Sequence, residues 1–393
     1  MKCHMTFIVR LVVTLSTALT LAQSASAQTE AMIQDSTSSP VAYVYVSAGS
    51  YKTSEIYAYK AASDGRLTSV PGSPFPALVN LGMALNQNYV FTTDGTYIYS
   101  FSIDSDGAVK QVASIDALQF DGGCGAPQAL FLDRTGATLY DADGDYNCTG
   151  SDFAYQSFSI DSSTGELTFL GATTGTWLWY VPLSFIKDDV YTYGATCSGN
   201  MYWSIFGFLR ADNGNLDGVS MNINANIPDA KPGDFYCPSL TAADPTNHVA
   251  ISMQAVNGNT FGSDGPPQLA TYTADSSGNL TTTDTRFNMP KTALEYVTDI
   301  AMSPSGKLLA VSGIAGLQIF HFDGSKPITH YTGLLTKVEV DQVYWDNDNH
   351  LYATSYSGDS LFVFTVTPTS VRQAPGSPYT IAQPLNIGVL PKN

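Results

Sequence analysis

Apolar and polar positions alternate along most of this chain, and the alternation recurs seven times as a short strand-forming phrase. Six copies run into a turn pair that contains glycine, as at Asp64-Gly65 and Asn213-Gly214, and the last copy ends in Thr367-Pro368. Alternation followed by Asp-Gly or Asn-Gly predicts a β-hairpin, because these residues accept the positive φ of a tight turn. The seven phrases occupy residues 56–59, 98–103, 155–160, 205–209, 269–273, 317–322 and 361–366.

The spacing of the phrases predicts the architecture. A unit of roughly 50 residues that repeats seven times, with no long helical period between copies, indicates an all-β, seven-bladed β-propeller. Each blade is expected to hold four antiparallel strands, from a (innermost) to d (outermost), and the recurring phrase is strand c. Strand a precedes strand b across short polar turns such as residues 133–136 and 303–306.

The two ends of the repeat predict how the ring closes. The first b strand, near residue 43, has no a strand before it, and the chain ends with the apolar segment 385–390. The simplest arrangement lets this C-terminal segment supply strand a of the N-terminal blade. Such closure leaves no open sheet edge.

The amino-acid composition limits the kinds of molecule that this protein is expected to bind. The 393 residues are 44% hydrophobic and only 13% charged, which is enough apolar material for a large core. The 34 acidic residues against 17 Lys and Arg make nucleic acid and anionic membrane surfaces poor partners, since neither phosphate neutralisation nor electrostatic steering is available.

The N-terminus predicts export. Lys2 and Arg10 precede an apolar stretch at 11–22, and Ala25-Ser26-Ala27 is a small-residue cleavage site, so residues 1–27 are interpreted as a secretory signal peptide. Residues 28–40 are expected to be a flexible segment, and 41–393 a single propeller domain. The protein is therefore expected to be secreted or periplasmic, without membrane insertion, and monomeric.

Four cysteines remain after cleavage, and an even number in an exported chain predicts two disulfides. Three pairings are open. On the predicted propeller all four lie on loops of the top face, where the b–c and d–a connections meet. This placement favours the pairs Cys124–Cys148 and Cys197–Cys237.

Three phrases resemble the lactonase family of seven-bladed propellers, which includes 6-phosphogluconolactonase-like and carboxymuconate-lactonising-like proteins. They are the run TDIAMSPSGKLLAV at 298–311, the hairpin SIDSSTGELT at 159–168, and PGSPF at 71–75, repeated as PGSPY at 375–379. The resemblance spans roughly residues 41–393 and implies lactone hydrolysis in the central funnel. The chain departs from the family pattern at Ser312-Gly313, where an Asn-Arg pair is usual.

Carboxylates at the predicted top ends of the inner strands are the candidate catalytic groups. Glu295 and Glu339 begin the inner strands of adjacent blades and Asp299 follows; like charges in a narrow funnel raise one pKa and produce a base. The alternative is that these side chains are solvated or bound to loop amides. Other candidate ligand-binding residues at this mouth are Lys337, Asp341, Trp177, Trp179, Tyr180, Tyr236, Asn80, Gln128 and Asn386. The aromatic members suit a sugar-stacking platform or packing between blades 4 and 5.

Histidine and metal chemistry are less favoured by the sequence. The four histidines after residue 27 fall at a–b turns or on outer strands, away from the predicted mouth, and are expected to be ordinary surface or strand residues. No cofactor is required. Calcium is a candidate because oxygen donors at relative positions 1, 3, 5, 7 and 12 follow the spacing of a calcium loop, although Tyr146 stands where that loop needs glycine. These donors are Asp141, Asp143, Asp145, Asn147 and Asp152; the alternative is an Asp-rich loop held by Cys148.

Two functions remain open at this point. One is hydrolysis of a small sugar-derived or related lactone in the funnel. The other is a non-catalytic propeller that binds a glycan, a peptide or a partner protein on its top face. The scarcity of arginine favours binding, and the family resemblance with its carboxylates favours catalysis.

Overall fold

A computed structural model shows an all-β chain whose strands form seven antiparallel sheets arranged as the blades of a ring. It describes residues 39–50, 53–79, 81–120, 127–143, 152–176, 181–186, 189–198, 202–216 and 225–392. The predicted seven-bladed propeller is confirmed. Within these residues no helix has the length and apolar character needed to cross a membrane.

The first three blades take their strands from the N-terminal half of the chain. They are β1 (Ala42–Ser50), β2 (Thr53–Ala61), β3 (Leu67–Ser69), β4 (Phe75–Pro76), β5 (Met83–Leu85), β6 (Tyr89–Thr93), β7 (Tyr97–Ile103), β8 (Val109–Asp116), β9 (Pro127–Leu132), β10 (Thr138–Asp143), β11 (Asp152–Ile160) and β12 (Leu167–Thr176). A single 3-10 turn at Ala117–Phe120 follows β8 in the described chain.

The remaining strands build blades 4 to 7 and close the ring. They are β13 (Ser184–Phe185), β14 (Tyr191–Ser198), β15 (Tyr202–Leu209), β16 (Asp234–Ala243), β17 (His248–Asn257), β18 (Gln268–Ala274), β19 (Leu280–Thr281), β20 (Val297–Met302), β21 (Leu308–Gly313), β22 (Gly316–His321), β23 (Thr329–His330), β24 (Gln342–Trp345), β25 (His350–Ser355), β26 (Ser360–Thr367), β27 (Ser370–Gln373), β28 (Tyr379–Thr380) and β29 (Pro384–Pro391).

Ring closure follows the predicted pattern. β29 pairs antiparallel with β1, so that Val44 lies opposite Val389 and Ala42 opposite Pro391. Blade 1 therefore runs β29-β1-β2-β3 from inside to outside, and the last strand of the chain is its innermost strand. Blade 4 shows three strands and an isolated bridge between Arg210 and Leu216; residues 217–224, which follow, lie outside the described part.

The core lies between neighbouring blades. The cluster between blades 1 and 2, for example, joins Tyr45 and Ile56 of one sheet to Val90 and Phe101 of the next, and all four are at most 2% exposed. Burial of large flat side chains on both faces of every sheet explains the high Tyr and Phe content. Each blade is stabilised chiefly by contact with its two neighbours.

The recurrent glycine of the c–d hairpin contributes to this contact. In blade 2, Gly107 has φ +88° and lies against the ring of Tyr43 in blade 1, where a Cβ would approach a ring carbon to 2.3 Å. The Tyr45 hydroxyl donates a 3.0 Å hydrogen bond to the carbonyl of the same glycine. Equivalent bonds join Tyr140 to Gly214 at 2.6 Å and Tyr193 to Gly278 at 3.0 Å. The Asp-Gly, Asn-Gly and Ser-Gly pairs thus serve both the turn and the contact between blades.

The two PGSP phrases also have a structural role. In each, the serine hydroxyl oxygen accepts a backbone N–H from strand c of its own blade: Ser73 from Ala58 at 2.9 Å and Ser377 from Val363 at 2.8 Å. This bond continues the sheet between the two short outer strands, β3 and β4 in blade 1 and β27 and β28 in blade 7. The repeated phrase therefore connects the two short strands that form the outer edge of blades 1 and 7.

One histidine that follows an a–b turn is a strand residue, as expected, but it is buried. His350 begins strand β25 but is fully buried, and its Nδ1 lies 2.7 Å from a carboxylate oxygen of Asp346. The Tyr352 hydroxyl donates to the same oxygen at 2.9 Å. A polar group that leaves water must find such partners. The burial of His350 could not be predicted from the residues near it in sequence, because it is the c–d hairpin of blade 1, at Gly65, that covers this histidine.

Candidate functional site at the top mouth of the channel

Three of the inner strands, β9, β20 and β29, are bulged where they begin, at the top face. In β20 the pairing with β21 shifts between Val297 and Asp299, which leaves Thr298 as the extra residue. The same irregularity occurs in β9 at Gln128 and in β29 at Leu385. A bulge puts two residues opposite one and redirects their side chains. The bulges therefore decide which side chains face the channel mouth.

In β20 the bulge turns two consecutive polar side chains towards blade 7. The Thr298 hydroxyl donates to the Val340 carbonyl at 2.5 Å, and a carboxylate oxygen of Asp299 accepts the Val343 N–H at 2.9 Å. Val343 lies on the innermost strand β24, and this N–H points away from β25. The Asp299 carboxylate consequently lies at the free inner edge of blade 7, beside the channel.

The electrostatics of Asp299 suit proton transfer. Burial raises the pKa of its carboxyl to about 6, although N–H bonds from Val343 and from Ile300, the latter at 2.8 Å, act in the opposite direction. Its side chain keeps part of its surface exposed because the channel passes beside it. A carboxyl with a pKa near 6 is ionised at neutral pH and is a much stronger base than an ordinary aspartate.

The same position on the next two inner strands is also polar. Gln342 of β24 accepts the Ile387 N–H at 3.0 Å and donates to the Asn386 side-chain oxygen at 3.2 Å. Asn386 in turn donates to the Ser47 hydroxyl oxygen at 3.1 Å and is 5% exposed. Asp299, Gln342 and Asn386 form what we call the inner-edge arc, which crosses blades 6, 7 and 1.

A cavity of about 480 Å³ opens at the top face beside the start of β20. None of its described lining residues is charged. They are Val181, Thr196, Cys197, Cys237, Ser239, Leu240, Gln254, Val256, Ser263, Pro267, Tyr296, Val297 and Thr298. Such a lining suits an uncharged small molecule, because a phosphate or carboxylate would leave water without gaining a cationic partner.

One predicted disulfide forms part of the cavity wall. Cys197 at the end of β14 is bonded to Cys237 of β16, with Cα atoms 5.2 Å apart, and this pair is confirmed. It fastens blade 4 to blade 5 across 40 residues of sequence, a span for which the loop-entropy estimate is about 3–4 kcal/mol. Cys124 and Cys148 lie outside the described residues.

The charged residues predicted at the mouth differ in placement. Glu295 and Lys337 are exposed on the loops that lead into blades 6 and 7, and Glu339 is half-buried. Asp341 accepts the Tyr356 N–H at 2.6 Å, so its carboxylate holds the b–c loop of its own blade. This arrangement corresponds to the loop-bound alternative for Asp341.

The predicted polar and aromatic residues are likewise divided. Gln128 is half-buried at the bulge of β9. Tyr236 is 3% exposed, packs in the core between blades 4 and 5, and donates to the Gln268 side-chain oxygen at 2.7 Å. Tyr236 therefore packs between blades instead of forming a stacking surface. Asn80, Trp177, Trp179 and Tyr180 lie outside the described residues.

The candidate calcium ligands are only partly described. Asp141 and Asp143 lie within strand β10. The Asp141 carboxylate accepts the backbone N–H of Gln156, and the Asp143 carboxylate accepts the side-chain N–H of Gln156 at 2.8 Å. A calcium loop wraps around its ion, whereas this part of the sequence is an extended strand. Asp145, Asn147 and the side chain of Asp152 lie outside the description. Among the described residues no group of three or more ligands is arranged for a metal.

The opposite mouth of the channel holds a second cavity, of about 450 Å³, at the a–b turns of blades 2 and 3. Its carboxylate, Asp133, is already bound to Arg210 at 2.6 Å. Tyr344 projects into it with 40% of its surface exposed, and burial within the ring raises the pKa of its hydroxyl. The described groups here lack an available base, so the top mouth is the better candidate for chemistry.

Sequence reasoning missed three residues of the top mouth: Thr298, Gln342 and Tyr296. A signal for Gln342 existed. The steps Asp299-Ile300, Gln342-Val343 and Asn386-Ile387 occupy the same place in three inner strands, so aligning the repeats from their a–b turns finds it. Tyr296 and Thr298 carry no such signal, since the bulge and the loop geometry decide where they point.

Comparison with known proteins agrees with this fold. The chain is similar to the periplasmic gluconolactonase of Pseudomonas aeruginosa (TM-score 0.63, 14% identity, covering 89% of this chain and 99% of that one). It is also similar to a provisionally assigned 6-phosphogluconolactonase of Bacteroides uniformis (0.59, 14%, 89% and 99%). A hypothetical selenium-binding protein of Sulfolobus tokodaii gives 0.58 at 10% identity, covering 90% and 94%.

No family model matches the sequence, and no curated protein matches it. The chain shares its fold with these solved structures. At these identities the likeness establishes the fold alone, and one fold can carry many unrelated functions.

Proposed function

We propose that this protein is an exported hydrolase of small uncharged lactones, with Asp299 as the general base. The observation that carries the proposal is the Asp299 carboxyl, whose pKa is raised to about 6 at the inner edge of the channel mouth. Thr298, its neighbour in the bulge, lines the uncharged cavity. The three supports are a base, a cavity lined by the residue that precedes this base in the sequence, and a fold shared with a gluconolactonase.

The proposed reaction is simple in its balance of atoms. Asp299 takes a proton from water, the water oxygen bonds to the lactone carbonyl carbon, and the ring C–O bond breaks. The proton then passes to the departing alkoxide, and the product is a hydroxy acid. The hydroxyl groups of Thr196 and Ser263, which line the cavity, are the proposed donors for the developing oxyanion.

Asp299 is preferred over the other two candidate carboxylates. Glu295 is exposed and Glu339 is half-buried on loops, so neither shares the position of Asp299 at the channel edge. The uncharged lining also points to unphosphorylated substrates. The lactonase family pattern usually has an arginine after strand b, but this chain has Ser312-Gly313 there. In the proposed site, uncharged hydrogen-bond donors take the place of that arginine.

The test is titration of acid release by the full mature chain acting on γ-butyrolactone and glucono-δ-lactone. We expect kcat/KM to rise with pH up to about 6 and then to level off, since the base must be ionised. Asp299→Asn should lower kcat about 100-fold or more with little change in KM. Glu295→Gln and Glu339→Gln serve as matched controls, for which we expect losses of less than about threefold. No turnover on either lactone, or an unaffected Asp299→Asn, contradicts the proposal.

Export is supported by the disulfide. The Cys197–Cys237 bond belongs to an oxidising compartment, and the N-terminal pattern is that of a cleaved leader. Expression of the full chain in a bacterial host, followed by N-terminal sequencing of the periplasmic fraction, should give a chain that begins at Gln28. An intact leader on folded, cytoplasmic protein would oppose export.

A second candidate function is binding of a neutral glycan without turnover. It is favoured by Tyr296, an aromatic side chain 61% exposed at the edge of the uncharged cavity. Glycan-array binding that is lost in Tyr296→Ala, together with no hydrolysis of any lactone, would support this function over the first.

A further inference from the structure

Five large hydrophobic side chains are exposed together on the top of blades 6 and 7. All of them lie on the loops that enter the inner strand or join strands b and c. We call them the apolar strip: Tyr296 (61% exposed), Ile314 (47%), Leu334 (41%), Val338 (38%) and Tyr356 (43%). They make up five of the twelve exposed large hydrophobic side chains in the described residues. Grouped exposure of this kind marks a binding surface more often than scattered exposure does.

Contacts join the loops that carry the strip. The Ile314 N–H donates to the Tyr296 carbonyl at 3.3 Å, and the Val340 N–H donates to the carbonyl of Gly313, beside Ile314, at 3.2 Å. A Cβ built on Gly358, two residues beyond Tyr356, would lie 3.5 Å from a methyl of Val338. These contacts link the loops that carry Tyr296, Ile314, Val338 and Tyr356. Leu334 lies on the same connection between β23 and β24 as Val338.

One end of the strip is the edge of the uncharged cavity. Tyr296 belongs to both, and Val297 and Thr298 continue the cavity wall from it. Apolar groups also line the cavity itself, among them Leu240 and Val256. A molecule that fits both features has a compact uncharged head for the cavity and an apolar chain for the strip.

We infer that the substrates are lactones that carry an alkyl or acyl chain, with the ring in the cavity and the chain along the apolar strip. This inference rests on the proposed lactonase function and names its substrate class. A polyhydroxylated chain on the ring would place its hydroxyl groups against Ile314, Leu334 and Val338, which offer no side-chain hydrogen-bond partner. The chain instead buries methylene groups against these side chains.

The test compares lactones that share the reacting ring and differ in chain length: γ-butyrolactone, γ-hexalactone, γ-octalactone and γ-decalactone. Full burial of a methylene corresponds to a factor of about four in affinity, and a chain lying on an open surface keeps about half of that free energy. We expect kcat/KM to rise about twofold for each added methylene. Equal values across the series would overturn the inference while leaving the lactonase in place.

Substitutions in the strip show whether it carries the effect. Ile314→Ser and Val338→Ser should flatten the dependence of kcat/KM on chain length, measured within each variant as the ratio of its kcat/KM for γ-decalactone to that for γ-butyrolactone. Val112→Ser is the matched control, because Val112 is 45% exposed on β8 of blade 2, away from the strip. An equal flattening in the control, or none in the strip variants, would contradict the assignment.

Binding measurements separate this inference from the proposed function. Tetrahydrofurans with alkyl chains of the same lengths keep the ring but lack the carbonyl, so calorimetry reports binding alone. If affinity rises with chain length but no lactone is hydrolysed, the apolar strip is supported as a binding surface and the proposed lactonase function is contradicted. A dimer of the wild-type chain that dissociates in Ile314→Ser would assign the strip to a second copy and overturn the inference.

Discussion

Asp299 shows how one residue balances opposing influences on its charge. Two backbone N–H groups stabilise its carboxylate, and burial between inner strands destabilises it more, so the net effect raises its pKa to about 6. An unperturbed aspartate titrates near 4. The folded protein therefore holds a proton on this group more tightly than the unfolded chain does.

This linkage predicts how Asp299 affects stability. Its contribution to the free energy of unfolding is fully present below about pH 4 and is lost as the pH rises through about 6, because the ionised form is disfavoured in the fold. The difference in unfolding free energy between wild type and Asp299→Asn should fall by about 2–3 kcal/mol from pH 4 to pH 7. Urea unfolding at both pH values measures it. A constant difference would rule out the raised pKa.

Asp346 illustrates a buried charge with an entirely structural role. It is 1% exposed, accepts bonds from His350 and Tyr352, and lies at the a–b turn far from the top mouth. Removing one partner of a buried polar network leaves the others without compensation.

Asp346→Ala should therefore lower the free energy of unfolding by about 3 kcal/mol or more. Asp348→Ala, in the same turn but exposed, is the matched control and should change it by less than about 0.5 kcal/mol. Urea unfolding of both variants makes the comparison. Similar values for the two would show that the turn, and not the buried network, is what matters.

At the scale of elements, the c–d hairpin is the unit that joins blades. Its glycine satisfies the turn through positive φ and leaves room for the first side chain of the neighbouring b strand. A comparison with Gly233, in the turn that leads into β16, separates the two effects. The φ values of Gly107 and Gly233 are +88° and +92°, but a Cβ would meet another residue, Tyr43, only at Gly107.

Gly107→Ala should be more destabilising than Gly233→Ala. Both substitutions place an alanine in the left-handed backbone region, which costs about 1–2 kcal/mol. Only Gly107→Ala also brings a Cβ against the Tyr43 ring, which costs about 1–3 kcal/mol more. Thermal unfolding of the two variants side by side tests this. Equal losses would mean that the hairpin glycines serve only the turn.

For the whole molecule, closure of the ring is the decisive event. The pairing of β29 with β1 joins the two ends of the propeller and covers an edge that would otherwise expose free backbone groups. The inner-edge arc also depends on it, because Asn386 belongs to β29 and bonds to Ser47 of β1.

Deleting residues 384–393 should abolish the folded monomer. Without β29, strand β1 becomes an open inner edge and the buried side chains of Ile387, Val389 and Leu390 are lost from the core. Size-exclusion chromatography and circular dichroism should show aggregation or loss of the cooperative melt, whereas deletion of 392–393 alone should leave both unchanged. A stable, monomeric truncation would show that the ring does not need this strand.

Much of the fold followed from the chain alone because its signals are local and repeated. Alternation and Asp-Gly pairs specify hairpins one by one, and seven copies leave few architectures. The apolar tail at 385–390 and the missing first strand predicted closure, and the Cys197–Cys237 pair followed from the loop positions. Predicting these features requires only the order of the strands, and not how their side chains pack.

The site depended on the tertiary structure. The bulge at Thr298 turns Asp299 towards Val343, 44 residues away, and burial between two blades then raises its pKa; neither event has a local signature. The same holds for His350, which is buried by a hairpin from another blade. The sequence alone determined the repeating hairpins, because their turn chemistry is encoded in adjacent residues. Which polar groups became buried, and which apolar ones stayed exposed at the mouth, was decided only when the blades closed into a ring, since burial is a property of neighbours distant in the chain.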